Sequence, residues 1–101
     1  MQGKKASEKV ECLNPNTGGR MQIDKGTYDL FFKAISHTLK KKPALTYTQM
    51  VEGIEAYLEQ KKAKFDGSVS WYAVTVKNDM QVKGLISIVT EKGRKLHSLN
   101  I

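Results

Sequence analysis

The feature that most constrains this chain is a change of apolar period at Gly84. Before it, Val69, Tyr72, Ala73, Val76 and Met80 recur at 0, 3, 4, 7 and 11, the spacing that lines one face of a helix. After it, LISIVTE takes on the two-residue alternation of a strand. The Val, Thr, Tyr and Trp residues of the first half favour strand by local propensity. Period, length, Ser68 as an N-cap and Gly84 at a position suited to positive φ all favour helix. A helix over 68–83 is therefore predicted, with Gly84 handing the chain to a strand.

Two further helices precede it. Tyr28, Phe31, Phe32, Ile35 and Leu39 stand at i, i+3, i+4, i+7 and i+11. Asp24 can cap that helix, Lys40, Lys41 and Lys42 suit its last turn, and Pro43 stops it, giving a helix over 24–42. Thr46-Tyr47-Thr48-Gln49 fits the capping box and opens a helix over 46–62 through Met50, Val51, Ile54, Tyr57 and Leu58. Gly53 weakens it by about 1 kcal/mol unless close packing needs the missing side chain. Ala44 and Leu45 suggest a short extended piece between these helices, and Phe65, Asp66 and Gly67 form the turn into the third.

At the C-terminus, over 85–101, LISIVTE and RKLHSLNI flank Lys92-Gly93, a link of hairpin character. Pairing Glu91 with Arg94 sets Val89 opposite Leu96 and Ile86 opposite Leu99, so apolar residues meet across the ladder. At the N-terminus, residues 1–10 read as a loose tail and 11–23 as an extended segment interrupted by the turn formers of NPNTGG. Residues 11–101 thus form one domain, a size consistent with a single core.

The order helix, helix, helix, hairpin, with a short N-terminal extended segment, is that of an α+β winged helix-turn-helix domain. Val76, Met80, Gly84, Leu85 and Ile86 resemble the V-x3-L-x3-G-L-I segment that ends the recognition helix of many bacterial winged-helix regulators, Met80 replacing Leu. That resemblance covers residues 24–101. The whole chain, ECLNPNTGGR included, also resembles a family of small bacterial proteins of unknown function. The winged-helix resemblance implies that the third helix enters the major groove and the hairpin touches backbone or minor groove. Ser70, Trp71, Val74, Thr75, Asn78 and Gln81 point away from the core on the helical wheel. The residues it implies for DNA are Ser68, Ser70, Trp71, Thr75, Lys77 and Asn78 on the third helix, and Lys92, Arg94 and Lys95 on the wing. Asparagine suits adenine, and the cations suit phosphates.

The formal net charge is +7, carried by 15 Lys and 2 Arg against 10 acidic residues, which points to a polyanionic partner. The outward face of the third helix nevertheless has no Arg and presents Trp71 and Val74, which suit a protein interface. A winged-helix module for protein contact or self-association is therefore the alternative to DNA binding. Trp71 is expected to pack beneath the hairpin or the N-terminal segment.

No catalytic constellation stands out. NPNTGG lacks the GxxxxGK[ST] spacing and reads as a structural turn. Cys12 reads as a small packed thiol, His37 and His97 lack metal-ligand spacing, and Glu52, Glu55 and Glu59 fit a solvated helix flank. No enzyme activity, cofactor or metal is expected. A single cysteine, the absence of a signal-like N-terminus and the absence of a membrane-length apolar run suggest a cytoplasmic protein without a membrane partner. The expectation is a small transcriptional regulator acting by occupancy of double-stranded DNA as a homodimer.

Overall fold

The computed structural model describes residues 8–42, 44–63, 65 and 67–100. The tail over 1–7, Pro43 as a helix stop, Asp66 in the second turn and Ile101 at the end of the hairpin lie outside these described residues. The architecture is α+β: two strands, three helices and two more strands. The strands are β1 (Lys9–Leu13), β2 (Arg20–Asp24), β3 (Ile86–Glu91) and β4 (Arg94–Leu99), and the helices are α1 (Lys25–Lys41), α2 (Tyr47–Gln60) and α3 (Val69–Val82). The strands make two small antiparallel hairpins, β1–β2 and β3–β4. Among the described residues, no helix is long and apolar enough to cross a membrane.

Each helix begins where a side chain can accept one of its free N–H groups. Asp24 accepts from the Thr27 N–H at 3.2 Å and Ser68 from the Trp71 N–H at 3.0 Å. Thr46 and Gln49 form the reciprocal capping box, with bonds of 3.0 and 3.2 Å. Gly84, at φ +78°, ends α3 in a Schellman arrangement: its N–H donates to the Gln81 carbonyl and that of Leu85 to the Met80 carbonyl. The β-branched run inside α3 is thus overridden by its caps and by a face buried at Ala73, Val76 and Met80.

The core gathers on α1. Phe31, Ala34 and Ile35 are fully buried against Met50 and Ile54 of α2, Ala73, Val76 and Met80 of α3, and Ile86 of β3. Phe31, Phe65 and Tyr72 pack edge to face or tilted, with centroids 5.0 to 5.8 Å apart. Gly53 has the packing role that its place in a helix requires, because a Cβ there would collide with the Thr38 side chain across the α1–α2 contact.

The C-terminal hairpin pairs Glu91 with Arg94, Val89 with Leu96 and Ile86 with Leu99, the register in which apolar residues oppose one another. Lys92 and Gly93 both take positive φ in its two-residue turn. Leu45, in the link between α1 and α2, bridges to His97 through two backbone hydrogen bonds of 3.0 and 2.7 Å. The extended piece anticipated at Ala44 and Leu45 therefore lies along β4 as a one-residue bridge.

The N-terminal segment is more ordered than expected. Lys9 and Val10, placed in the tail by sequence, pair with Asp24 and Ile23. The NPNTGG loop closes this hairpin through an Asx turn, the Asn14 side chain accepting from the Asn16 and Thr17 N–H groups. Cys12 and Ile23 enter the core, and β1 lies against α3.

Candidate functional site

Helix α3 sits between the two hairpins, and each flank of it carries a charged residue with a largely buried side chain, Lys77 on one and Asp79 on the other. Its start is tied to the start of α2: the Tyr47 hydroxyl donates to the Ser70 carbonyl and lies 3.1 Å from Ser70 Oγ. The two helix N-termini, whose free N–H groups favour anions, are therefore held side by side. Ser68, Ser70 and Trp71 are exposed there. Across a shallow cleft stands the β3–β4 turn with Lys92, Arg94 and Lys95, all exposed.

That cleft holds about 330 Å³ and is formed by Thr46, Tyr47 and Thr48 of the α2 start, Val74 and Lys77 of α3, and Arg94, Lys95 and His97 of β4. Lys77 is only 9 % exposed, and among the described residues it has no ion-pair or hydrogen-bond partner. Burial, reinforced by the nearby Lys95, lowers its pKa from the usual lysine value. His97 is 2 % exposed and its Nδ1 lies 3.0 Å from the Leu45 carbonyl. A carbonyl only accepts, so Nδ1 carries the proton in the neutral ring and Nε2 presents a lone pair. Nε2 is buried and has no partner among the described residues. Burial pushes the His97 pKa down; the Leu45 bond acts the other way, and Lys77 and Lys95 add to the depression.

The other flank is saturated. The Asp79 carboxylate, fully buried, accepts from the Tyr28 hydroxyl at 2.6 Å and from the Leu13 N–H at 3.1 Å, and pairs with Lys83 Nζ at 2.7 Å. One side chain thereby joins the N-terminal hairpin, α1 and α3. Burial and then the Asp79 charge push the Cys12 thiol up to about 11, so it stays protonated and unreactive at neutral pH. Tyr28 is likewise shifted upward, by burial and by its bond to Asp79. Between this hairpin and α3 runs a second groove of about 340 Å³, bordered by Met21, Trp71, Val74 and Asn78.

The residues singled out by sequence divide accordingly. Ser68, Ser70, Trp71, Lys92, Arg94 and Lys95 are exposed, and Thr75 is half-buried with its hydroxyl donating to the Trp71 carbonyl. Lys77 is buried in the cleft behind the C-terminal hairpin. Asn78, expected on the outward face, is 7 % exposed because the N-terminal hairpin covers that part of α3. Trp71, expected beneath a hairpin, is 41 % exposed at the rim of the second groove, edge-on to Tyr72. Asp79 and His97 were not singled out as site residues. One signal pointed to Asp79: a carboxylate in the last turn of a helix opposes the helix dipole, so it needs fixed donors. For His97 the sequence carried no signal beyond its place in a strand.

A family model described as a family of unknown function (DUF6958) matches residues 9–96. Comparison with curated proteins and with solved structures gave no match.

Proposed function

The chain belongs to the family of unknown function DUF6958, and we propose that it is a small winged-helix protein that binds double-stranded DNA chiefly through the phosphate backbone. The observation that carries this reading is the gathering of the wing cations Arg94 and Lys95 with the N-terminus of α2 around one cleft, with the start of α3 bonded alongside. The winged-helix assignment is supported by the three helices, the C-terminal hairpin and the Leu45–His97 bridge, which gives that hairpin a third extended partner between α1 and α2. Backbone contact is favoured over base reading because Asn78 is covered and the exposed polar residue of α3, Ser70, lies in its first turn.

Anisotropy titrations of mixed-sequence duplexes at several salt concentrations test the proposal. Contacts to about four phosphates give a log–log salt slope near −3.6, and Ala at Lys92, Arg94 and Lys95 together should flatten it. Absence of binding to any duplex at low salt, with the fold intact, removes the DNA reading.

The second reading is self-association, favoured by the exposed Met21 and Trp71 at 45 % and 41 % on the groove beside the N-terminal hairpin. A homodimer built there predicts a dimer mass by light scattering that Trp71→Ala converts to monomer.

A further inference from the structure

A lysine whose stem is buried beside other cations is unfavourable unless something supplies the missing negative charge. Lys77 is in that position: Arg94 and Lys95 share its cleft, and no carboxylate belongs to the cleft wall. The same wall includes His97, whose buried Nε2 has no partner among the described residues, and the start of α2, whose free N–H groups favour an anion. The capping box occupies the Thr46 and Gln49 N–H groups but leaves the Tyr47 and Thr48 N–H groups of that first turn without a helical acceptor. A volume of about 330 Å³ corresponds to roughly ten waters at about 30 Å³ each, enough for one tetrahedral oxyanion with part of its hydration.

We propose that this cleft is a seat for a single phosphoryl group, held by Lys77 at its centre, by Arg94 and Lys95 from the wing, by the first turn of α2 and by His97. The seat is separate from the exposed Lys92 at the hairpin turn, and it stands on the cleft itself rather than on the DNA reading. Its occupant is a phosphate diester of a nucleic-acid backbone or a free phosphate; the chemistry is shared. For His97 to donate through Nε2 it must take up a proton, since Nδ1 already serves Leu45. Occupancy by a dianion therefore draws a proton onto the ring.

The test uses the full chain in a low-salt chloride buffer, with inorganic phosphate as the first probe and a mixed-sequence duplex with 5′-hydroxyl ends as the second. Heteronuclear NMR follows the His97 ring and the Tyr47 and Thr48 amides. Phosphate should shift them saturably, with chloride at equal ionic strength failing to do so. Lys77→Met should weaken phosphate binding by about tenfold or more, the scale of one lost charge-assisted hydrogen bond, while the protein melts at a higher temperature. Lys95→Ala, an exposed change that leaves the core untouched, should weaken phosphate binding less, and Lys33→Ala, on α1 outside the cleft, should leave it as it was. If the duplex shifts the same resonances and phosphate competes with it, the occupant is the backbone diester. If phosphate alone does so, the seat stands and the DNA reading falls. Shifts that do not saturate, or that persist at full strength in Lys77→Met, overturn the seat. Duplex binding with unchanged affinity in Lys77→Met overturns the backbone diester as the occupant.

Discussion

Lys77 and Asp79 lie two residues apart on α3, Lys77 9 % exposed and Asp79 fully buried, yet their surroundings are opposite. Asp79 has its charge matched by Lys83 and its oxygens filled by Tyr28 and Leu13. Lys77 shares a cleft with Lys95 and with His97, whose Nε2 has no partner among the described residues. The first arrangement is what a folded interior requires of a buried charge. The second is what a binding site looks like before its ligand arrives, with a cost in the free protein that the ligand offsets. Removing the two charges should therefore move stability in opposite directions.

The largest effect is expected at Asp79. Asp79→Ala strands the Tyr28 hydroxyl and the Leu13 N–H and leaves a cavity where three elements meet, a change of about 3–5 kcal/mol. A domain of this size has a total stability of about 5–15 kcal/mol, so urea should unfold the variant at a much lower concentration. Tyr28→Phe removes one donor and leaves the carboxylate its other partners, for a loss of about 1.5–3 kcal/mol. A loss below about 1 kcal/mol for Asp79→Ala would mean that the N-terminal hairpin is held by its apolar residues Cys12 and Ile23 instead of by the carboxylate.

Lys77→Met keeps an unbranched apolar stem and deletes a charge with no partner among the described residues. It should raise the stability of the unliganded protein by about 1 kcal/mol, read as a higher melting temperature in phosphate-free buffer. The gain should shrink when phosphate is added, because only the parent protein is then stabilised by binding. A destabilisation comparable to that of Asp79→Ala would end the contrast between the two flanks.

The contrast also explains which parts of the molecule the sequence disclosed. Helix α3 was legible despite its Val and Thr content, because five apolar positions kept one period and Gly84 marked the end. The β3–β4 register was legible because a single pairing of Glu91 with Arg94 brings its apolar residues together. What the helical wheel could not supply was the burial of Lys77, Asn78 and Asp79. A wheel divides a helix into one buried and one wet side, whereas α3 is covered by α1 and α2, by β1 and by the C-terminal hairpin. The N-terminal hairpin arises from pairing between Lys9–Leu13 and Arg20–Asp24, and nothing in either five-residue strand announces that it will lie across α3. The cations of the C-terminal hairpin were legible as exposed charge, but the cleft behind them depends on where Leu45 meets His97, a contact 52 residues apart in sequence.

The smallest expected effect is a pH dependence carried by His97. The unfolded chain binds this proton near pH 6.5, the ordinary histidine value. The folded protein binds it only at lower pH, because burial and the cations Lys77 of α3 and Lys95 of β4 disfavour the imidazolium, with only Leu45 acting in its favour. Tyr47 of α2 packs beside it, with a ring centroid 6.5 Å away. Above about pH 6.5 both states are neutral and the contribution is fully present; it is lost as pH falls from there through the folded pKa. Urea midpoints measured from pH 7.5 to 5 should fall accordingly, by less than about 1.4 kcal/mol per unit of pKa depression, and His97→Gln should flatten that part of the curve. Sulfate, which stays a dianion throughout this range, should reverse the trend in the parent protein by favouring the protonated ring. A parent curve that sulfate merely raises in parallel would place the anion away from His97 and shift the binding energy of the cleft onto Lys77, Arg94 and Lys95.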